Sequence, residues 1–317
     1  MSNFIPKQTG LNHETDLLIH QSREGACGVD LPEIKNFKSK TGQKSREKIG
    51  LPQVNEPQVI RHFVRLSNQN YSIDAGFYPL GSCTMKHNPR LNEKMARLAG
   101  FADIHPNQDE STIQGVLEMM YNLQNWLGTL TGLKGVSLAP AAGAQGELAG
   151  MLVIKKAHEF KGQGHRKIVL IPDSAHGTNP ATAAMCDFDI KVIPSDSEGL
   201  VDLAVFKKLI AEHGNNIAGT MITNPNTCGK FEKNISEIAK LIHDVGGYFY
   251  CDGANYNAIV GKVRPADIGV DVMHFNLHKT FSTPHGGGGP GSGPIAVREE
   301  LAQFLPSPHV EKDGDRY

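Results

Sequence analysis

The sequence predicts an α/β domain built on a mostly parallel sheet, with helices on both faces. Two observations carry the prediction. From Ser111 onward, short apolar runs alternate with amphipathic stretches, the pattern of strands joined by crossover helices. Polar, Gly-rich segments follow most of those runs, as they do where an open α/β sheet binds its ligands beyond the carboxyl ends of its strands.

The elements follow in order. The first fifty or so residues are polar, and Lys35 to Lys48 has little periodicity, so an extended arm or loop is expected there. A short helix is expected from about Glu56 to Asn70, where Val59, Ile60, Phe63, Val64 and Leu66 fall near helical spacing. Ser111 with Gln114 reads as a capping box. Ile113, Leu117, Met120, Leu123, Leu127 and Leu130 then recur at three and four, and Gly132 stops that helix. Strands are expected at Gly135–Leu138, Ile168–Ile171, Ile190–Ile193, Ile217–Thr223, Gly247–Cys251 and Asp271–Phe275. Between them, Ala144–His158, Asn179–Cys186, Asp202–His213 and Asn234–Asp244 read as helices.

Composition narrows the function classes. Lys and Arg number 32 against 33 Asp and Glu, a formal net charge of -1. Nucleic-acid binding needs a clustered basic excess to neutralise phosphates, and anionic membranes need polybasic runs; neither is present. The longest uncharged stretches, such as Met119 to Leu133, contain polar residues and fall short of the roughly 20 apolar residues that cross a bilayer. The N-terminus has neither an apolar run nor a targeting pattern, so the cytoplasm is the expected compartment. Five widely spaced cysteines without a CxxC pair suggest neither a disulfide framework nor a structural zinc site.

The segments beyond the strands carry the candidate chemistry. Asp252 closes one strand, Lys279 follows another, and His176 lies in the loop after a third. Each alone reads as a turn former, a solvated lysine or an ordinary histidine. Together on one sheet edge they suit a Schiff-base cofactor. Pyridoxal phosphate needs a lysine for its imine and a carboxylate for its ring nitrogen, and an imidazole can lie on the ring face. The turn around Gly143, Ala144 and Gln145 joins a strand to a helix, and its small residues let backbone N–H groups approach a phosphate. It has neither GxGxxG nor GxxxxGK[ST], so nicotinamide and ATP readings lose support. Cys83, in a small-residue loop, reads as a buried small hydrophobe or as a redox-responsive thiol. The Gly286–Gly293 run reads as a linker or as a loop passing close to a ligand or partner. His274 and His278 are four apart, but without HExxH or an obvious carboxylate cluster no metal is expected.

Six segments carry a wider resemblance: Phe77–Arg90, Pro140–Gly150, Pro172–Met185, Thr223–Glu232, Cys251–Gly261 and His274–Pro294. They closely resemble the glycine dehydrogenase (decarboxylating) family, the P-protein of the glycine cleavage system. The opening and the length before the lysine are similar to the second subunit of the two-subunit bacterial form. The resemblance implies the aspartate-aminotransferase-like fold of pyridoxal phosphate enzymes (fold type I). It implies that Lys279 carries the cofactor, that Asp252 faces the pyridine nitrogen and that His176 lies over the ring. It also implies that Gly143, Ala144 and Gln145 hold the phosphate, with Thr178, Asn224 and His278 completing the cofactor-binding set. Lys279 and His176 are the expected catalytic residues. The implied activity is decarboxylation of glycine, with transfer of the aminomethyl group to the lipoyl group of the H-protein. The implied partners are glycine, subunit 1 of a heteromer and the lipoylated H-protein.

In this fold a small domain of more than a hundred residues follows the lysine, whereas 38 residues follow Lys279 here (317 − 279). The expected organisation is therefore an arm with helices over 1–75, a cofactor-binding α/β domain over 76–297, and over 298–317 the start of a C-terminal domain that is largely missing. Two alternative readings accompany the main one. The chain is a non-catalytic truncated subunit, or it is another fold type I decarboxylase or aminotransferase.

Overall fold

The computed structural model describes residues 16–29, 32, 49–70, 74, 87–283 and 291–317. Lys35 to Lys48, Cys83 and the first part of the glycine-rich run lie outside these residues. The chain divides into two compact units, Met1–Pro79 and Leu80–Tyr317.

In the first unit, a 3₁₀ turn at Leu18–Gln21 precedes helix α1 (Glu56–Asn68). Asn55 caps α1: its side chain accepts from Gln58 N–H, and the Gln58 side chain accepts from Asn55 N–H, each at 3.0 Å. This reciprocal pair satisfies two backbone donors that the helix itself leaves open.

The second unit opens with the short helices α2 (Arg90–Ala96) and α3 (Ala99–Ala102), then α4 (Gln114–Thr131). The capping box expected at Ser111 is not formed. Asp109 accepts from Ser111 N–H instead and caps a 3₁₀ turn, while α4 starts after Ile113 with no side-chain cap. The competing acceptor two residues upstream wins because it closes a tighter local ring. Gly132 ends α4 at φ 75°, a left-handed conformation that costs glycine little.

The alternating section runs β1 (Gly135–Ser137), α5 (Gly143–Phe160), β2 (Ile168–Pro172), α6 (Thr178–Met185), β3 (Asp189–Ile193), α7 (Leu203–His213), β4 (Ile217–Thr223), α8 (Ile235–Asp244), β5 (Tyr248–Gly253), β6 (Val272–Phe275), α9 (Leu277–Thr280) and β7 (Ile295–Val297). The seven strands form one sheet in the order β1-β7-β6-β5-β4-β2-β3. β2, β3, β4, β5 and β6 pair in parallel, and β7 runs antiparallel between β1 and β6. All six expected strands are present, and β7 is additional.

Two hydrophobic clusters fill the two faces. Phe206, Ile238, Ile242, Phe249 and Phe275 pack with Leu127 on one side. Met151, Ile154, Val169, Met221, Tyr250 and Val272 pack on the other. Successive strand residues point to opposite faces, so the alternation is visible along β5, where Phe249 and Cys251 join the first cluster and Tyr248 and Tyr250 the second. The same alternation assigns Asp252 and His274 to the second face, which α5 covers. Among the described residues no helix is long and apolar enough to cross a membrane.

Candidate active site

The carboxyl ends of β1, β2, β4, β5 and β6 lie along one edge of the sheet, because these strands are mutually parallel or linked through antiparallel β7. That edge gathers the polar segments beyond the strands. β5 and β6 pair with Asp252 opposite His274, and β4 sets Thr223 opposite Asp252.

Asp252 is 3 % exposed. Its Oδ1 accepts from Ala254 N–H at 2.8 Å and lies 3.5 Å from His274 Nε2; its Oδ2 accepts from Asn179 Nδ2 at 3.0 Å. Burial works against ionisation here, but the charges of His274 and Lys279 and the two N–H donors outweigh it, so the carboxyl sits below its ordinary value. His274 is itself pushed down by its complete burial. Tyr250 lies in the same layer, its hydroxyl 2.6 Å from His274 Nδ1, and burial raises its phenol well above the ordinary value. A protonated Tyr250 donates to Nδ1, which leaves the imidazole hydrogen on Nε2, facing Asp252 and Asn276 Oδ1.

Lys279 stands in α9, directly beyond β6, and is half-buried. His278 is buried beside the returning chain, where Ser292 N–H points at its Nδ1 at 3.4 Å. The return is close: a Cβ on Gly293 would meet Ala142 O at 1.9 Å, so only glycine lets this segment cross the start of α5. Asn276 presses on the same turn, since a Cβ on Gly143 would meet its Nδ2 at 2.3 Å. α5 begins after Ala142 with no side-chain cap. Among the described residues its first N–H groups have no side-chain acceptor, in the manner of helix ends that receive anions. Gln145 turns back and accepts from Ala141 N–H at 2.8 Å, which fixes the turn.

His176 is exposed in the loop before α6; its Nδ1 accepts from Thr178 N–H at 3.2 Å and lies 2.8 Å from Thr178 Oγ1. Asn224 is buried at the end of β4, where its Oδ1 accepts from Glu232 N–H at 2.9 Å. Its Nδ2 has no partner among the described residues, nor have Thr223 Oγ1, Asn179 Oδ1 and Thr280 Oγ1. Unpaired buried polar atoms are costly, and these four sit on the elements that end at the site edge.

All nine residues expected from the sequence thus fall on this one edge. Two others were not anticipated from the sequence. Glu147, on α5 and 3 % exposed, accepts from Thr178 Oγ1 at 2.9 Å and from Asn179 Nδ2 at 2.6 Å. Asn179, fully buried, donates to both Glu147 and Asp252. Burial, then the charge of Asp252, pushes the Glu147 carboxyl up to about 7. Glu147, Asp252 and His274 each place one ligand atom within 4.8 Å of the others, so the carboxylate cluster that sequence reading did not find does exist, with His274 but not His278 in it.

Comparison with known proteins gives these residues a setting. The family model for the glycine cleavage system P-protein matches residues 30–316. A probable glycine dehydrogenase (decarboxylating) subunit 2 of Caulobacter vibrioides is 57% identical over 301 residues, which span 94% of this chain and 57% of that protein. A protein of the same description from Alkaliphilus oremlandii is 53% identical over 307 residues, 95% of this chain and 63% of its own length. The chain thus spans about three-fifths of the length of the curated relatives it matches. A crystal structure of glycine decarboxylase (P-protein) of the glycine cleavage system, in inhibitor-bound form, superposes with a TM-score of 0.66 at 21% identity, covering 86% of this chain and 58% of that one. This likeness shows the fold, that of the fold type I pyridoxal phosphate enzymes.

Proposed function

Since the chain belongs to the glycine cleavage system P-protein family, we propose that it takes part in the decarboxylation of glycine, with transfer of the remaining aminomethyl group to the lipoyl group of an H-protein. In that transfer glycine loses CO₂ and a C–S bond forms as the lipoyl S–S bond breaks. The disulfide is the oxidant, and its second sulfur leaves as a thiol. A second subunit completes the enzyme, and the cytoplasm is its compartment.

One observation supports the reading above others: a buried Asp252, held ionised, and an uncapped helix start lie on the same sheet edge as Lys279, whose charge acts on that Asp252. These groups and the atoms of Thr223, Asn224 and Thr280 that lack a partner among the described residues fit pyridoxal phosphate. Lys279 would hold it through Nζ, and Asp252 would keep its ring nitrogen protonated. The start of α5 at Gly143, Ala144 and Gln145 would take the phosphate, with Thr178, Asn224, His278 and His176 around it. When bound, the cofactor supplies an electron sink for the bond that breaks in glycine.

The protein's own residues do the rest. Asp252 is fixed by Ala254 N–H and by Asn179, so its charge is aimed before any ligand arrives. Thr178 ties His176 to Glu147, fixing the imidazole's position at the mouth of the site. We assign the sheet unit up to about residue 297 to cofactor binding, and the residues beyond it to the start of a further domain. The test is borohydride reduction after incubation with pyridoxal phosphate, followed by digestion and mass mapping. A phosphopyridoxyl group on Lys279 is the expected result. Failure to label Lys279 with the second subunit present overturns the site. Exchange of labelled CO₂ into glycine that requires lipoylated H-protein is the expected activity, and formation of a keto acid instead overturns it.

A further inference from the structure

Beneath the site, two buried carboxyl groups come together. Glu147 arrives from α5 and Asp252 from the end of β5, each placing a carboxylate oxygen within 4.8 Å of the other. α6 covers them with Thr178, Asn179 and Thr182. β5 adds Tyr250, β6 adds His274, and Lys279 follows beyond β6. Two carboxylates this close cannot both be ionised without strong repulsion in a medium that screens poorly.

The donor inventory says how the conflict is resolved. Glu147 Oε1 already takes two donors, the Thr178 hydroxyl and the Asn179 amide. Among the described residues, Glu147 Oε2 takes only the Thr182 hydroxyl, at 3.4 Å. Asp252, in contrast, takes one backbone N–H and one amide N–H and feels the charge of Lys279. The charge belongs on Asp252 and the hydrogen on Glu147. Asn179 fits that state, because one of its amide hydrogens reaches each carboxyl.

We propose that Glu147 and Asp252 form an acid–carboxylate pair that shares one proton, clamped by Asn179, and that Glu147 is thereby a positioning residue that keeps the pair's single charge on Asp252 and aimed at the site. The pairing stands on these contacts; its bearing on the cofactor rests on the role given to Asp252 above. The pair loses its shared proton as pH rises through about 7, the value to which Glu147 is pushed, and a second buried negative charge then appears beside Asp252.

The experiment is infrared titration of the full chain, comparing wild type with Glu147→Gln, Asp252→Asn and Asn179→Ala, each checked for folding by thermal melting. Wild type is expected to show a protonated-carboxyl C=O band at pH 6 that fades with a midpoint near 7 and is missing in Glu147→Gln. In Asp252→Asn the midpoint should fall by a unit or more, because the repelling charge is gone. A band unaffected by Glu147→Gln, or a midpoint unmoved in Asp252→Asn, overturns the proposal; if Glu147→Gln does not fold, the Asp252→Asn midpoint decides alone. Bleaching of the wild-type band at pH 6 by millimolar Mg²⁺ or Zn²⁺ overturns it in favour of a cation site. A titrating band in a chain that binds no pyridoxal phosphate even with the second subunit present keeps the pair and defeats the cofactor reading. Cofactor binding without the band does the reverse.

Discussion

Replacing Glu147 by Gln makes the stability of the sheet unit less sensitive to pH. The carboxyl moves from 4.5 in a free side chain to about 7 in the folded protein, about two and a half units, or about 3 kcal/mol at 1.36 kcal/mol per unit. The sign follows from proton binding. The folded state holds this proton more tightly than the unfolded chain, so the stabilisation is fully present below pH 4.5 and is lost as pH rises through about 7. Gln keeps the Oε1 acceptor for Thr178 and Asn179 and offers an N–H toward Asp252 in place of the acid hydrogen. Its contribution does not titrate. Between pH 5 and pH 7.5 the wild type should therefore lose about 2 to 3 kcal/mol relative to Glu147→Gln. For a domain of this size that is a relative shift in Tm of about 4 to 12 °C. Urea unfolding followed by far-UV circular dichroism at five pH values measures the difference directly. Two stability curves that run parallel across this range refute the assignment of the proton to Glu147.

Three further outcomes follow from single contacts. Asp202→Ala removes the cap of α7, where the carboxylate accepts from Ala204 and Val205 N–H; it should cost about 1 kcal/mol in urea unfolding. Phe206→Ala leaves a cavity in the core against α8 and the sheet, where the ring is fully buried; a loss of about 3 to 5 kcal/mol is expected from the same measurement. Lys279→Ala removes a half-buried side chain at the site rather than a core contact. It should change stability by less than about 1 kcal/mol, while abolishing the borohydride-stable label and the absorbance band of bound pyridoxal phosphate.

The sheet was legible because parallel strands covered on both faces read as unbroken apolar runs. Ile217–Thr223 coincides with β4, and the other five expected strands lie within two residues of those observed. β7 escaped notice because three residues, Ile295–Val297, follow a glycine- and proline-rich approach and give no period to count. Caps fared worse. Ser111 and Gln114 have the right spacing, yet Asp109 captures Ser111 N–H first, and the box that does form joins Asn55 and Gln58 at the start of α1. Asp252 and Lys279 could be placed on the sheet edge from the sequence, because a residue at a strand end has a fixed address. Glu147 could not. A glutamate five residues into a helix ordinarily faces water, and its burial arises only when α6 lays Thr178, Asn179 and Thr182 across it.

That burial ties two parts of the site to one rigid body. α5 carries the small-residue turn at Gly143, Ala144 and Gln145 at its start and Glu147 one turn later. A helix shifts as a unit, so any movement that opens the turn also withdraws Glu147 from Asp252. Asn276 and Gly293 lock the same turn from outside, at distances that leave no room for a side chain on Gly143 or Gly293. An alanine at Gly293 must push α5 off the sheet edge, because the atom it meets is backbone and cannot rotate away. Gly293→Ala should therefore disturb two readouts together, weakening pyridoxal phosphate binding and lowering the Glu147 infrared midpoint. A variant that loses only the cofactor would show that the turn and the carboxyl pair move independently.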